Sequence, residues 1–174
     1  MLTQPALADT TVINPATAET CDSVAPTLLP CPYTESVPLD EELQAFLFEQ
    51  CQLAGIDYCF ALAIIDKESS FKAKATGHNG NGSVDRGIMQ VNSCNIKMLK
   101  KAGYINSSDD LYNPYIGIEC GLAILYPYIE QFGNCEQAYA AYNTGKLTVK
   151  SNRNSREVMQ LWDKWYTNVY GGRE

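Results

Sequence analysis

The run Asp57-Tyr58-Cys59-Phe60-Ala61-Leu62-Ala63-Ile64-Ile65-Asp66-Lys67-Glu68-Ser69-Ser70-Phe71 opens on a residue suited to capping a helix and passes through uncharged, mostly apolar residues. It then surfaces in a polar turn that carries Glu68. Its apolar part, Tyr58 to Ile65, is far shorter than the roughly 18 residues a membrane span needs, so it reads as a buried helix capped by Asp57. Upstream, Asp40 can cap a helix with an apolar stripe at Leu43, Phe46, Leu47 and Leu53, closed by Gly55. Downstream, residues 72–87 lose periodicity and gather Gly77, Gly80, Gly82 and Gly87. Asn79-Gly80 and Asn81-Gly82 predict a loop or small hairpin there.

Helical patterning resumes over 93–102 and stops at Gly103. Pro114 opens a long apolar helix through Ile116, Ile118, Leu122, Ile124 and Leu125, which Pro127 is expected to kink or end. Asn134 starts a helix to Asn143 with Gly145 beyond it. A last helix from about Ser155 carries Val158, Leu161, Trp162, Trp165 and Val169, a spacing that places both tryptophans in the core. The expected fold class is α+β, mainly α, with one glycine-rich hairpin or loop.

The 174 residues fit one domain, expected over 40–170, behind a flexible tail at 1–39 rich in Pro, Thr and Ala. Residues 1–66 hold ten acids and no Lys or Arg, whereas all 13 bases follow. A net charge of −7 is the wrong sign for a chain that grips phosphate backbones, so no nucleic-acid partner is expected, and no apolar run is long enough to span a membrane. Seven cysteines point to an oxidising compartment. Ala6-Leu7-Ala8 has the small-x-small form of a signal-peptidase site, which makes residues 1–8 a candidate remnant of an export signal.

Among the reactive side chains, Glu68 stands out. A carboxylate in the last turn of an apolar helix faces the negative end of the helix dipole and is partly desolvated, and both effects raise its pKa as a general acid requires. His78 is the single histidine, which excludes a histidine triad or cage. Asn79, Asn81, Ser83 and Asp85 alternate like an oxygen-ligand loop but lack the acidic density and closing glutamate of a calcium site. No C-x-x-C pair occurs, so neither metal nor cofactor is expected. Cys51 and Cys59 bracket the Gly55 corner closely enough for a bridge to be sterically plausible. Cys94, Cys120 and Cys135 are placed near helix starts, and Cys21 and Cys31 in the tail. Lys146, Lys150, Arg153 and Arg156 read as a solvated basic face.

Four blocks occur in order: Glu68-Ser69-Ser70-Phe71, then Gly87-Ile88-Met89-Gln90-Val91-Asn92, then Asn113-Pro114, then Ala141-Tyr142-Asn143-Thr144-Gly145. Together they resemble the SLT lytic transglycosylases, lysozyme-like enzymes that cleave bacterial peptidoglycan. The resemblance implies a lysozyme-like domain with Glu68 as acid and base. It also implies that Met89 and Gln90 line a glycan groove, Met89 reading as part core and part groove wall, with Tyr142 and Asn143 facing the acid and the sugar. Where many members carry Ser nine residues after the acid, this chain has Gly77. The stretch Asn81-Gly82-Ser83-Val84-Asp85, continuing through Gln90 to Ser93, resembles instead the hairpin of the c-type lysozymes, which makes Asp85 a candidate second catalytic carboxylate.

Three functions stay open on these residues. The first is lytic transglycosylation by Glu68. The second is hydrolysis of the same bond with Asp85 as nucleophile, and the third is a glycan-binding module without turnover. The implied partner is the peptidoglycan glycan strand, met by a monomer that is secreted or held at a bacterial cell wall. Service to a secretion, conjugation or phage machine is among the roles such an enzyme fills.

Overall fold

The computed structural model describes residues 28–171. Residues 1–8, most of the tail and Cys21 lie outside them. Six α-helices and a small three-stranded sheet follow in chain order: α1 (Glu41–Ala54), α2 (Tyr58–Ser69), β1 (Thr76–His78), β2 (Val84–Arg86), β3 (Val91–Asn92), α3 (Ile96–Lys101), α4 (Pro114–Phe132), α5 (Cys135–Thr144) and α6 (Arg153–Tyr170). Short 3-10 turns at Ser93–Asn95 and Ser108–Tyr112 lead into α3 and α4.

The caps act as their residue types dictate. Asp40 accepts from the Leu43 amide, Asp57 from Phe60 and Asn134 from Gln137, each satisfying a donor that the first helical turn leaves open. Gly55, Gly133 and Gly145 close α1, α4 and α5 in the left-handed region. Pro127 lies inside α4, which runs on to Phe132. Of the two expected outcomes, a kink or an end, the helix does not end there: Pro127 removes one ladder bond, but Ile118, Leu122 and Leu125 anchor the helix in the core.

Helix α2 is the centre of the molecule. Cys59 through Ile65 have no accessible surface, as expected of a helix that is apolar on every side. Helix α6 packs along it, and the two indoles form polar ties. Trp162 Nε1 donates to Asp57 Oδ1 at 2.8 Å near the start of α2, and Trp165 Nε1 donates to Asp66 Oδ2 at 3.1 Å near its end. Trp165 is in the core and Trp162 at its margin.

The strands form an antiparallel sheet in the order β1-β2-β3, with Gly77 opposite Asp85 and Asp85 opposite Asn92. Gly87 (φ 79°), in the link from β2 to β3, lies against the 3-10 turn before α4. A Cβ there would come within 2.0 Å of the Leu111 carbonyl oxygen, so only glycine fits.

Three details differ from the sequence expectation. Leu53 is 57% exposed, outside the apolar stripe of α1. Cys120 sits in mid-α4 rather than at a helix start. The domain is also not confined to residues after Asp40. Residues 28–39 have no regular structure, yet they lie as a strap on α1, with Val37 2% exposed.

Buried Gln44 holds this strap. Its Oε1 accepts from the Thr34 amide and the Tyr58 hydroxyl, and its Nε2 donates to the carbonyls of Thr34 and Leu39. Gln52 repeats the device, accepting from the Leu29 amide at 2.7 Å and donating to the Leu29 carbonyl at 3.1 Å. A flexible tail was expected because these partners are side chains on a helix, which local patterning does not reveal. Gln44→Ala removes the partners of several buried groups and is expected to lower unfolding stability by about 2–4 kcal/mol. Urea unfolding and amide exchange at Thr34 measure this, and an unchanged midpoint would show that the strap is not held through Gln44.

Candidate active site

The last turn of α2 brings Glu68 to one side of a cleft of about 420 Å³. β2 and β3 contribute Asp85 and Asn92, α4 contributes Ile124 and Tyr128, and α5 contributes Tyr142 and Asn143. The backbone around it is unusual. Ser70, Phe71 and Gln90 are the three non-glycine residues with positive φ among the described residues, at 50°, 63° and 48°. Such conformations cost on the order of 1–3 kcal/mol each and cluster where neighbouring structure holds them for function. Phe71 is braced edge-on against Trp165, with centroids 5.3 Å apart. Gln90 is fixed by its side-chain amide, which donates to the carbonyls of Ala75 and Gly87 at 3.1 and 2.9 Å.

Glu68 is pushed up to about 7 from an ordinary 4.5. Burial is the main cause. A hydrogen bond from Tyr139 pulls in the opposite direction, the negative charge of Asp85 adds to the rise, and Lys67 opposes it. Tyr139 is fully buried on α5 and donates its hydroxyl to Glu68 Oε1 at 2.6 Å. One turn along the same face, the Tyr142 ring stacks near that of Tyr139 with centroids 6.2 Å apart, and its hydroxyl donates to the Met89 carbonyl at 2.8 Å. The neighbour Lys67 turns away to pair with Glu157, which also receives Arg153 Nε at 2.8 Å.

Asp85 is held from both sides. Asn92 Nδ2 donates to Oδ1 at 2.6 Å and Asn79 Nδ2 to Oδ2 at 2.7 Å, while Ser83 Oγ accepts from both asparagines. The sheet register explains the Asn92 bond, because directly opposed residues in antiparallel strands share a face, whereas Asn79 reaches Asp85 from the turn just beyond β1. Gly77, opposite Asp85, leaves that face open. A Cβ there would lie 3.0 Å from Gln90 Oε1 and 3.5 Å from Asp85 Oδ2.

The structure thus gathers Glu68, Asp85, Gln90, Tyr142 and Asn143 around one cleft. Met89, expected to be part core and part groove wall, is in the core and not on the wall. It has no accessible surface, and its thioether packs where a Cβ at Gly121 would be 2.3 Å from the sulfur. Only its backbone carbonyl serves the site, through Tyr142. Asn143 stands exposed on the rim, with Oδ1 accepting from Asn154 Nδ2 at 3.1 Å. Tyr139 was not anticipated, although it lies three residues before Tyr142 and therefore on the same helix face. Asn79 and Asn92 were visible only as members of a motif, without their bonds to Asp85.

Residues 46–162 match the model of the transglycosylase SLT domain family. Invasion protein IagB of Salmonella typhimurium is 37% identical over 103 residues, which cover 59% of this chain and 64% of that protein. Protein IpgF of Shigella flexneri is 30% identical over 105 residues, covering 59% of this chain and 67% of IpgF. The chain therefore spans slightly less than two thirds of the length of IagB. Among solved structures, an inactive mutant of the lytic transglycosylase Slt from Pseudomonas aeruginosa superposes with a TM-score of 0.63 at 23% identity, over 79% of this chain and 25% of Slt. That likeness is one of fold.

The displaced acid makes stability depend on pH. With its folded value raised above 4.5, Glu68 favours the folded state fully below 4.5 and loses that contribution as pH rises through about 7. At pH 8 its buried charge is a net cost. Glu68→Gln is therefore expected to match the wild type in thermal unfolding at pH 4 and to exceed it by on the order of 1–3 kcal/mol at pH 8. A difference of the same size at both pH values would show that burial of charge is not the cause.

Proposed function

The chain belongs to the transglycosylase SLT domain family, and on that footing we propose that it is a peptidoglycan lytic transglycosylase with Glu68 as its acid and base. The carrying observation is a carboxyl group raised to about 7 at the side of a polar cleft, since such a group is protonated often enough to donate and ionised often enough to accept near neutral pH. Glu68 protonates the glycosidic oxygen between N-acetylmuramic acid and N-acetylglucosamine, and the bond from the muramyl anomeric carbon to that oxygen breaks. The resulting carboxylate takes the proton from the muramyl 6-hydroxyl, whose oxygen attacks the same anomeric carbon and closes a 1,6-anhydro ring. Protons balance and no water is consumed.

Asp85 fits this reaction as a fixed negative charge facing the positive sugar that forms as the bond breaks. Its two asparagine partners prevent it from turning away. Gln90, Tyr142 and Asn143 supply amide and ring surfaces for the sugars, the mixture that glycan clefts use. The acid's displaced pKa also argues against a binding module without turnover, which needs no raised acid.

A muramidase that hydrolyses the same bond is favoured by one observation, the presence of Asp85 in the cleft with Glu68. In that reaction Asp85 would attack the anomeric carbon and water would release the sugar. A role in opening the wall locally for a machine that crosses it, at the bacterial envelope, belongs to the same proposal, and the relative IagB is named an invasion protein.

Purified peptidoglycan digested with the protein is expected to yield muropeptides ending in anhydromuramic acid, one water lighter than hydrolysed ones. Mass spectrometry reads the difference. Glu68→Gln should lower the rate by on the order of 10³-fold. Asp85→Asn should slow the reaction while the anhydro product persists. Products ending only in reducing muramic acid would assign the reaction to hydrolysis.

A further inference from the structure

We propose that Tyr139 is a positioning residue that divides the labour between the two oxygens of Glu68, holding Oε1 inside the fold so that the transferable proton sits on Oε2, toward the cleft. This deepens the reading of Glu68 as acid and base and rests on it. Tyr139 is fully buried on α5 and does not line the cleft, whereas Glu68 does. Its hydroxyl stays protonated, because burial and the neighbouring Glu68 charge push its ionisation far up, so it is a donor throughout the working range. The bond of 2.6 Å to Oε1 has the length of a charge-assisted O–H···O contact.

The assignment to Oε2 follows from hydrogen-bond capacity. A proton on Oε1 would have to point at the Tyr139 oxygen, which would turn that hydroxyl's own proton into buried surroundings without its one acceptor. A proton on Oε2 leaves the Tyr139 bond intact in both ionisation states. Every buried side-chain nitrogen and oxygen among the described residues has a partner. Oε2, which receives no hydrogen bond from the protein, is therefore the oxygen open to the cleft.

Four other groups face this carboxyl or its bond: Asp85 from β2, Tyr142 from α5, Lys67 beside it on α2 and, acting on Tyr139, Glu157 from α6. None of them donates to Glu68, so the Tyr139 bond is what distinguishes its two oxygens. The bond also steadies the carboxylate and so restrains the rise that burial causes. Removing it should raise the acid further.

Tyr139→Phe deletes one oxygen and keeps the ring. In the full chain, the apparent pKa of Glu68 is read by carbon-13 carboxyl titration, with Glu68→Gln to assign the signal and no substrate present. It is expected to rise by at least half a unit in the variant. The alkaline limb of kcat/KM for glycan cleavage should move upward by the same amount, and kcat should fall about tenfold as the carboxyl loses its orientation.

Infrared difference spectra of wild type against Glu68→Gln at pH 5 give a second test that does not need Tyr139→Phe to fold. They should show a carbonyl stretch lowered by an accepted hydrogen bond, the mark of Oε1 as carbonyl and Oε2 as hydroxyl. An unshifted titration in a folded Tyr139→Phe variant, or the carbonyl stretch of a free acid in the wild type, would overturn the proposal. A wild type that titrates as described but releases no muropeptides would instead overturn the transglycosylase reading and leave the Tyr139 bond standing.

Discussion

The rest of the site depends on the emergence of Glu68 at the end of the most deeply buried helix among the described residues. Cys59 through Ile65 have no exposed surface, and the next turn must bring an ionisable group out of that apolar mass without paying its full solvation. Burial raises the acid, the Tyr139 bond and the Lys67 charge restrain it, and Asp85 adds to the rise from across the cleft. Helix α6 keeps the turn in place from behind, where Trp165 ties to Asp66 and braces Phe71. An acid that titrates near 7 is thus a property of the packing around α2 rather than of one neighbour.

The sheet side of the cleft solves a different problem. Asp85 stays close to Glu68 although their like charges repel, and the amides of Asn79 and Asn92 disperse its charge. The row Gly77, Asp85, Asn92 across three strands makes this possible, because the glycine leaves the space in which Gln90 Oε1 sits. Where the family resemblance leads one to expect a serine, Gly77 thus leaves room for Gln90 Oε1, and Gln90 holds its own backbone in a left-handed conformation.

How much could be read in the sequence varied with the range of the interactions. Helix starts at Asp40, Asp57 and Asn134 and stops at Gly55 and Gly145 were legible because a cap bonds within three or four residues of itself. Glu68 was legible because an apolar run ending in a carboxylate is a local pattern. The misreadings involve distant partners. Met89 lies next to a cleft residue in sequence, yet its side chain fills the space left by Gly121 on α4. Tyr139 is a core aromatic, and only its bond to a residue 71 positions earlier ties it to the site. Pro127 was read by its local effect, which tertiary packing of α4 outweighs. The 3-10 turn at Ser108–Tyr112 rests on a capping box between Ser107 and Asp110, a signal without apolar periodicity.

The strap over residues 28–39 also has a mechanical meaning. Leu29 is joined to Gln52 by both its amide and its carbonyl, and farther along Thr34 is joined to Gln44 in the same two-way manner. Tension on the chain ahead of Leu28 meets these paired bonds in succession and is taken up by α1 before it reaches α2. A protein tethered through that end can be pulled without its acid being the first thing to move.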